Sequence, residues 1–388
     1  MKKLALLTGV VVVLGTLVAA PGAVAGTQIV VDDDAAECPN ADTTSIQDAV
    51  DLAEPGTSIK VCPGTYQEQV RIPAGKDGLK LFSLTPRSAV IKAPATMLPT
   101  DSGDIVQIDG AEDIGLRHFT ITGPLPDQLF CSVELRTGVR VIGGGSAKLF
   151  GNHITEIRSA SPALRGCQNG FGVAVGRQFQ GQFGSATITN NLIDNYQKGG
   201  VYVDGEESSG RVDHNEIVGT GPDPAIAQNG IQVSRGAQVR VDHNRVSANQ
   251  YSLAEVNGFE ASGIILFEPG AVDVLHNEVF ENDNAVVLLS SVGTIVGHND
   301  VWDNVFDGIQ ASDSSAGVIE HNDVAGSGRD GIYFDADTSD NLIRMNRAFD
   351  NVEHDAHDDS TGDGTAGTAN EWIKNHCETA NRPGLCRS

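Results

Sequence analysis

Five histidines recur at one position of a repeated pattern in the second half of the chain, each directly before an asparagine. They are His214, His243, His276, His298 and His321. Neutral imidazole is a good ligand for copper or zinc, and acidic residues beside several of these histidines would attract a cation. The pattern therefore allows a metal-binding stripe. The alternative is a structural role, because repeats that arise by duplication copy their histidines with or without a ligand, and His stacks well in a turn.

A second set of residues could recognise sugars. Tyr rings stack on sugar rings, and Gln and Asp side chains bond to hydroxyl groups. The candidate carbohydrate-binding residues are Tyr202, Asp204, Gln232, Gln310, Tyr333 and Asp335 on strands, with Tyr251 and Phe259 from neighbouring insertions. Strand faces favour Tyr in any case, so packing alone is the alternative explanation.

Both sets depend on one repeat for their position. The first half of the repeat is Gly, an aliphatic residue, any residue, and an aliphatic residue. The second half follows some ten residues later and is an aliphatic residue, any two residues, Asn, any residue, and an aliphatic residue. Its clearest copies open at Gly200, Gly230, Gly263, Gly308 and Gly331, and close at Asn215, Asn244, Asn277, Asn322 and Asn346. A period of roughly 22 to 33 residues with turn residues between short segments is typical of a stacked solenoid.

The aliphatic residues alternate with period two, which indicates strands and excludes helical repeats. We therefore predict an all-β fold, a right-handed parallel β-helix with one repeat per rung and rungs about 4.8 Å apart. The Asn of each repeat should lie at a turn, where its amide bonds to the backbone and to the Asn of the next rung. The preceding histidines should then line the outside of that turn.

The chain divides into four predicted regions. Lys2 and Lys3, an apolar run over residues 4–20 and a small-residue ending indicate a signal peptide over residues 1–25. A strand and a short amphipathic helix should form an N-terminal cap over 26–57, followed by the β-helix over 58–353. The Asp-, Gly- and Thr-rich residues 354–388 should form a disulfide-linked C-terminal cap.

Six cysteines fit three disulfides in an oxidising compartment. The simplest of the 15 possible connectivities joins neighbours along the chain. These pairs are Cys38 with Cys62, Cys131 with Cys167, and Cys377 with Cys386.

The charge balance restricts the partners. Without Lys2 and Lys3, the 26 Lys and Arg residues become 24 against 51 Asp and Glu, a net charge of −27. Such a surface disfavours nucleic acid and anionic lipid, and also polyuronates unless a cation bridges them. No later apolar run is long enough to cross a bilayer. We expect a secreted monomer, extracellular or cell-wall associated.

The N-terminal part resembles a known family. Ser45 to Val50, Pro55-Gly56, Ile59, Val61 and Pro63 to Tyr66 are similar to the opening of secreted β-helix proteins of the pectin-lyase-like superfamily. The sequence is also similar to the copper-binding β-helix family of nitrous-oxide reductase maturation. Residues 364–370 with Trp372 and residues 384–386 resemble the C-terminal signature of many actinobacterial exported proteins. The resemblance implies the fold and an association with copper, but no particular activity.

The sequence lacks the catalytic motifs of polygalacturonases, pectin methylesterases and calcium-dependent pectate lyases. Asp355 to Asp358 reads Asp-Ala-His-Asp, which is similar to the Asp-Pro-His-Asp of alginate epimerases but lacks the Tyr-Gly-Phe before it. Calcium could bind around Asp355, Asp358, Asp359 and Asp363, although solvated carboxylates explain the same residues.

Three functions remain open. The first is an exported protein that binds an extracellular carbohydrate on its solenoid face. The second is a polysaccharide lyase, epimerase or hydrolase with unrecognised catalytic residues, for which Lys198, Arg235 or Arg240 could serve. The third is a copper or zinc protein that uses the external histidines.

Overall fold

The computed structural model describes residues 27–97, 103–127, 131 and 135–386. The predicted signal peptide, residues 1–25, lies outside them. Within the described residues the chain winds through three long parallel sheets, which confirms the all-β parallel solenoid. One helix, Ile46–Leu52, lies at the N-terminal end, and one short helical turn, Ala254–Asn257, lies in an insertion. The 3-10 turns are Pro162–Leu164, Gln178–Gln180 and Thr365–Gly367.

Each complete rung contributes one strand to each sheet, and the sheets have 11, 13 and 12 strands within the described residues. The strands that begin at or beside the repeat glycine form the first sheet, named here the Gly sheet: Val70–Pro73, Val106–Asp109, Thr137–Ile142, Phe171–Val175, Gly199–Asp204, Asn229–Ser234, Ser262–Phe267, Asn284–Leu289, Ile309–Ser312, Ile332–Phe334 and Ala356–Asp358.

The second sheet is formed by the strands that precede the repeat asparagine: Gln28–Val31, Ser58–Val61, Lys80–Ser83, Ile114–Arg117, Ser146–Phe150, Ser185–Thr189, Ser209–Asp213, Gln238–Asp242, Val272–Leu275, Ile295–Gly297, Val318–Glu320, Leu342–Arg344 and Glu371–Ile373. The third sheet follows the asparagine: Gly64–Gln67, Ala89–Lys92, Thr120–Thr122, His153–Thr155, Leu192–Asp194, Glu216–Asp223, Arg245–Tyr251, Glu278–Phe280, Asp300–Trp302, Asp323–Ala325, Arg347–Phe349 and His376–Cys377.

The repeat glycine is required by close packing at the start of its strand. A Cβ added to Gly230 would lie 2.4 Å from a methyl carbon of Val246 and 2.6 Å from the carbonyl oxygen of Gly263. After the glycine, aliphatic side chains alternate into the core, as with Ile231 and Val233, which are both fully buried. The residue between them, Gln232, faces outward, so each Gly-sheet strand presents a side chain to the exterior.

The repeat asparagines form the predicted internal ladder. Asn215 Nδ2 donates to the carbonyl of Ile188 at 2.8 Å and to Asn244 Oδ1 at 2.9 Å, and the backbone N–H of Asn215 also donates to Asn244 Oδ1. The ladder runs through Asn152, Asn191, Asn215, Asn244, Asn277, Asn299, Asn322, Asn346 and Asn375. Its amides are satisfied inside the core, which is what burial of a polar group requires.

The two ends are closed by different devices. At the N-terminal end the helix Ile46–Leu52 buries Ile46, Ala49 and Val50, and Glu68 accepts the N–H groups of Ile46 and Gln47. At the C-terminal end the segment expected to be a cap adds one more strand to each sheet and buries Trp372. The helix covers core and strand edges that would otherwise be open.

The three neighbouring cysteine pairs are all bonded, as the sequence favoured. Cys38–Cys62 ties the N-terminal strands, and Cys377–Cys386 ties the last rung. These bonds fit an oxidising environment. None of the helices in the described ranges has the length and apolar character needed to span a membrane.

Candidate functional site

The five histidines form a continuous stack at the corner between the second and third sheets. Adjacent ring centroids lie 4.8 to 5.2 Å apart, with interplanar angles of 2° to 16°. All five have φ between 54° and 56°, in the left-handed region. Gly151, Asn190, Met345 and Lys374 occupy the same corner in other rungs and share this conformation. The corner therefore selects residues that tolerate positive φ, among which His is enriched.

The parallel rings also restrict metal binding by the stack. A metal ion lies in the plane of the imidazole that binds it, and planes that are almost parallel do not meet at one ion. His214 and His243 instead direct Nδ1 to Asp213 and Asp242, at 2.9 and 2.7 Å. His243 and His276 nevertheless both direct Nδ1 to Asp242 Oδ1, at 2.7 and 3.3 Å, and one ligand-type atom from each of these three residues lies within 4.8 Å of the other two.

The outward residues of the Gly sheet form a strip with two columns, named here the Gly-sheet face. The first column contains Asn229, Ser262, Asn284, Asp307, Asp330 and His354. The second column contains Gln232, Ile265, Val287, Gln310, Tyr333 and His357. Three of the predicted sugar-binding residues, Gln232, Gln310 and Tyr333, thus lie in one column and are half-buried.

Tyr202 and Asp204 continue this strip toward the N-terminus, but both are buried. The Tyr202 ring stacks on Phe171 at 5.0 Å, and its hydroxyl accepts a hydrogen bond from Arg235. Asp204 also accepts from Arg235, at 2.7 Å, and from the backbone N–H of Gln178. Tyr202 and Asp204 therefore pack with Arg235 in a polar cluster, and they do not form an accessible surface for a sugar.

Asp335 has a structural role at the edge of the strip. Its carboxylate accepts hydrogen bonds from the Thr338 hydroxyl at 2.7 Å and from the backbone N–H of Asp337 at 3.2 Å. These bonds hold the turn that leads from the Gly sheet to the second sheet.

A cleft of about 440 Å³ borders the Gly-sheet face and contains both predicted loop residues. Lys198, Asn229 and Ile265 line the cleft together with Tyr251 and Phe259. The Phe259 side chain is 70% exposed, so it offers an apolar surface to a ligand. Lys198 Nζ donates to the carbonyl of Ala227 at 2.6 Å, and burial lowers the pKa of Lys198 to about 8.

Arg240, the remaining cation proposed from the sequence, lies on the second sheet. It pairs with Asp242 beside the histidine stack, at 3.0 Å. It therefore does not line this cleft.

Downstream of the cleft, charged residues that the sequence analysis did not select gather on the strip. Arg329 bridges Glu260 at 3.0 Å and Asp307 at 3.1 Å. Burial raises the pKa of Asp307 to about 6, although the Arg329 guanidinium opposes the shift. The backbone N–H of Asp330 donates to Asp307 Oδ1 at 3.0 Å, which fixes the two carboxylates in consecutive rungs.

The strip ends at His354 and His357. His357 places Nδ1 2.8 Å from Asp330 Oδ2 and Nε2 3.0 Å from Asp359 Oδ1. Burial lowers the pKa of His357, but the carboxylates of Asp330 and Asp359 outweigh burial, so the net pKa is raised.

Two of the acidic residues considered for calcium have other partners. Asp355 accepts hydrogen bonds from Asn351, Glu378 and Thr379. Asp358 accepts from both the Ser360 N–H and its hydroxyl, from Asn370 and from the Trp372 indole. Protein donors therefore already occupy the lone pairs that calcium would need.

The sequence contained a signal for the end of the strip. Ala356 occupies the register of Ile332, so His357 follows Tyr333 in the second column. Extending the repeat by one rung past Asn346 would have placed the Asp-Ala-His-Asp stretch on the Gly sheet. That rung has no glycine at the repeat position, so the repeat pattern did not identify it.

The fold has known relatives among solved structures. The chain is similar to a GH136 lacto-N-biosidase from Eubacterium ramulus, with a TM-score of 0.59, 12% identity and coverage of 91% of this chain and 67% of that one. It is also similar to XylC in complex with xylose, with a TM-score of 0.53, 13% identity and coverage of 83% and 75%. At this identity the likeness shows the fold alone.

No curated protein sequence matches this chain. A family model described as "Right handed beta helix region" matches residues 104–306. That segment covers 203 of the 388 residues, which is more than half of the chain. The handedness and the solenoid predicted from the repeat are thereby confirmed, and the chain belongs to the right-handed β-helix family.

Proposed function

We propose that this protein is exported and binds an extracellular carbohydrate along the Gly-sheet face. The observation that carries the proposal is the alignment of Gln232, Gln310 and Tyr333 in one outward column beside the cleft of Tyr251 and Phe259. Amide and phenol groups on a flat surface, next to an exposed aromatic ring, suit hydroxyl bonding and ring stacking.

The rung spacing supports an extended ligand. Consecutive rungs of a parallel sheet are about 4.8 Å apart, which is close to the advance of one sugar unit along an extended polysaccharide. Successive rungs can therefore contact successive sugars. A linear glycan lying across the strands fits this geometry better than a single monosaccharide.

The charge of the strip favours a neutral glycan. Glu260, Asp307 and Asp330 lie on or beside it, and the whole chain carries a formal net charge of −25. A polyuronate would meet like charges along its length.

Affinity electrophoresis in gels containing xylan, galactan, β-glucan, polygalacturonate or alginate tests this function. We expect retardation by at least one neutral glycan, and at least about 10-fold weaker binding for Gln310→Ala combined with Tyr333→Ala, since stacking on one sugar contributes about 1 kcal/mol or more. Gln238→Ala is the matched control, because Gln238 is exposed on the second sheet. Equal loss in the control, or retardation by the acidic polymers only, would refute the proposal.

A second function is favoured by one arrangement, the buried Asp307 carboxylate held in line with Asp330 and His357. A buried carboxyl that titrates at about 6, in line with Asp330 and His357, can exchange a proton near neutral pH. The alternative is therefore a polysaccharide lyase, epimerase or hydrolase acting on the same strip. Reducing ends or unsaturated products released by the wild type, and abolished by Asp307→Asn, would establish it. If a glycan retards the protein in the gel but the protein releases no reducing ends or unsaturated products, the function is binding.

A further inference from the structure

Asp330, His354 and His357 form a mixed cluster at the C-terminal end of the Gly-sheet face. Asp330 Oδ1 lies 3.1 Å from His354 Nδ1, and Asp330 Oδ2 lies 2.8 Å from His357 Nδ1. The one ligand-type atom that each residue contributes lies within 4.8 Å of the other two. One carboxylate and two imidazoles thus meet across two adjacent rungs.

The orientation of these rings differs from that in the histidine stack. The His354 and His357 rings are inclined at 74°, with centroids 4.9 Å apart. Their planes therefore intersect, and both Nδ1 atoms face the same carboxylate. Two neighbouring histidines of the stack, His243 and His276, also face one carboxylate, that of Asp242, but their ring planes are inclined by only 16° and do not converge on one ion.

His357 adds a second argument. Both of its ring nitrogens face carboxylates, Nδ1 toward Asp330 and Nε2 toward Asp359. An imidazolium can donate to both of these acceptors, whereas a neutral imidazole has one N–H and can donate to only one of them. If Nδ1 binds a cation together with Asp330, the Nε2–H is free to donate to Asp359. A histidine ligand that donates its other N–H to a carboxylate is the usual arrangement around protein-bound zinc.

We propose that Asp330, His354 and His357 bind a divalent transition-metal ion of the zinc type. Two imidazoles and one carboxylate suit such an ion better than calcium or magnesium, which prefer oxygen ligands. Bonds of about 2.1 Å at tetrahedral angles place neighbouring ligand atoms roughly 3.4 Å apart. The present separations of 2.8 and 3.1 Å need only a small widening.

The ion would leave a coordination position for water or ligand, because the protein supplies three side chains. Asp330 is buried, whereas His354 and His357 keep 33% and 18% of their side-chain surface exposed. The site is therefore accessible from the strip. It does not depend on the carbohydrate proposal, since metal binding is measured without glycan.

The test is calorimetric titration of the EDTA-stripped full chain with Zn²⁺, together with visible absorption after addition of Co²⁺. We expect a 1:1 zinc complex and cobalt d–d bands of a nitrogen and oxygen site. His354→Gln and His357→Gln should each weaken zinc binding at least about 10-fold, and Asp359→Ala about 10-fold through loss of the outer acceptor. Ca²⁺ and Mg²⁺ should not compete.

His276→Gln is the matched control, because it removes an imidazole from the stack and leaves the cluster intact. Circular dichroism establishes that each variant is folded before titration. The proposal is overturned if folded His354→Gln and His357→Gln bind zinc like the wild type, if only His276→Gln weakens binding, or if the wild type binds no zinc.

Discussion

Asp283 is buried at the corner where the third sheet leads into the Gly sheet. Its Oδ2 accepts the backbone N–H groups of Tyr251 and Ala261, at 3.0 and 2.9 Å, and thereby fixes both ends of the loop that carries Phe259. Burial nevertheless raises the pKa of Asp283 to about 6, above the usual value of 3.8. The ionised form is thus less favourable in the folded chain than in the unfolded chain.

This shift predicts a pH-dependent effect of Asp283→Asn. The folded state binds the proton more tightly, so the free energy of unfolding falls as pH rises from about 4 through about 6, and the loss is complete above that range. Asparagine keeps the acceptor without the charge. We expect the variant to be more stable than the wild type by about 1–2 kcal/mol at pH 7.5, after allowance for solvent screening, and by much less at pH 4.

Urea denaturation at the two pH values measures the difference, with the exposed Asp363→Asn as the control. A stability gap that is the same at both pH values would contradict the assigned pKa.

At the scale of the element, we expect backbone conformation to matter more than ring stacking for the corner between the second and third sheets. His276 has a φ of 55° and lies between His243 and His298. We expect His276→Val to lower the free energy of unfolding by about 1–2 kcal/mol, because a β-branched residue is strained at positive φ. His276→Asn should cost almost nothing, since Asn tolerates this region.

Equilibrium unfolding of the two variants separates the two causes. Equal destabilisation by Asn and Val would mean that the rings, and not the dihedral angle, stabilise the corner.

The repeat explains which features the sequence could predict. Residues that every rung repeats, such as the ladder asparagines and the core aliphatics, were evident from spacing. Features that occur in a single rung were not evident from spacing. The burial of Tyr202 beneath Arg235, for example, depends on Phe171 and Gln178, which lie in irregular early rungs. The clustering of Asp330 with His357 depends on a final rung that lacks the glycine.

The whole molecule is a one-dimensional stack, so its cooperativity depends on contacts between neighbouring rungs. Asn277 lies in the middle of the ladder, donates to the carbonyl of Val241 and to Asn299 Oδ1, and accepts the N–H and Nδ2 donors of Asn244. Removing its amide leaves several buried groups without partners.

We expect Asn277→Ala to destabilise the fold by about 3 kcal/mol or more. Because each rung contacts only its neighbours, the unfolding transition should also broaden or separate into two steps. Hydrogen exchange by mass spectrometry would then show loss of protection around residues 241–299 before loss at the two ends. Gln238→Ala is the surface control. A sharp single transition with uniform exchange would contradict independent rungs.

The spacing of the last rungs has an evolutionary consequence. Asn284, Asp307, Asp330 and His354 follow one another at intervals of 23, 23 and 24 residues, without insertions. A gene segment that encodes one such interval therefore encodes one complete rung. Its duplication or deletion shifts all later rungs by one rung spacing along the solenoid axis, and the buried residues of each rung still align with those of the next. Descendants of this chain can therefore lengthen or shorten the Gly-sheet face by whole rungs. They can also change the distance between a side chain on this face and the terminal histidines without changing the core residues.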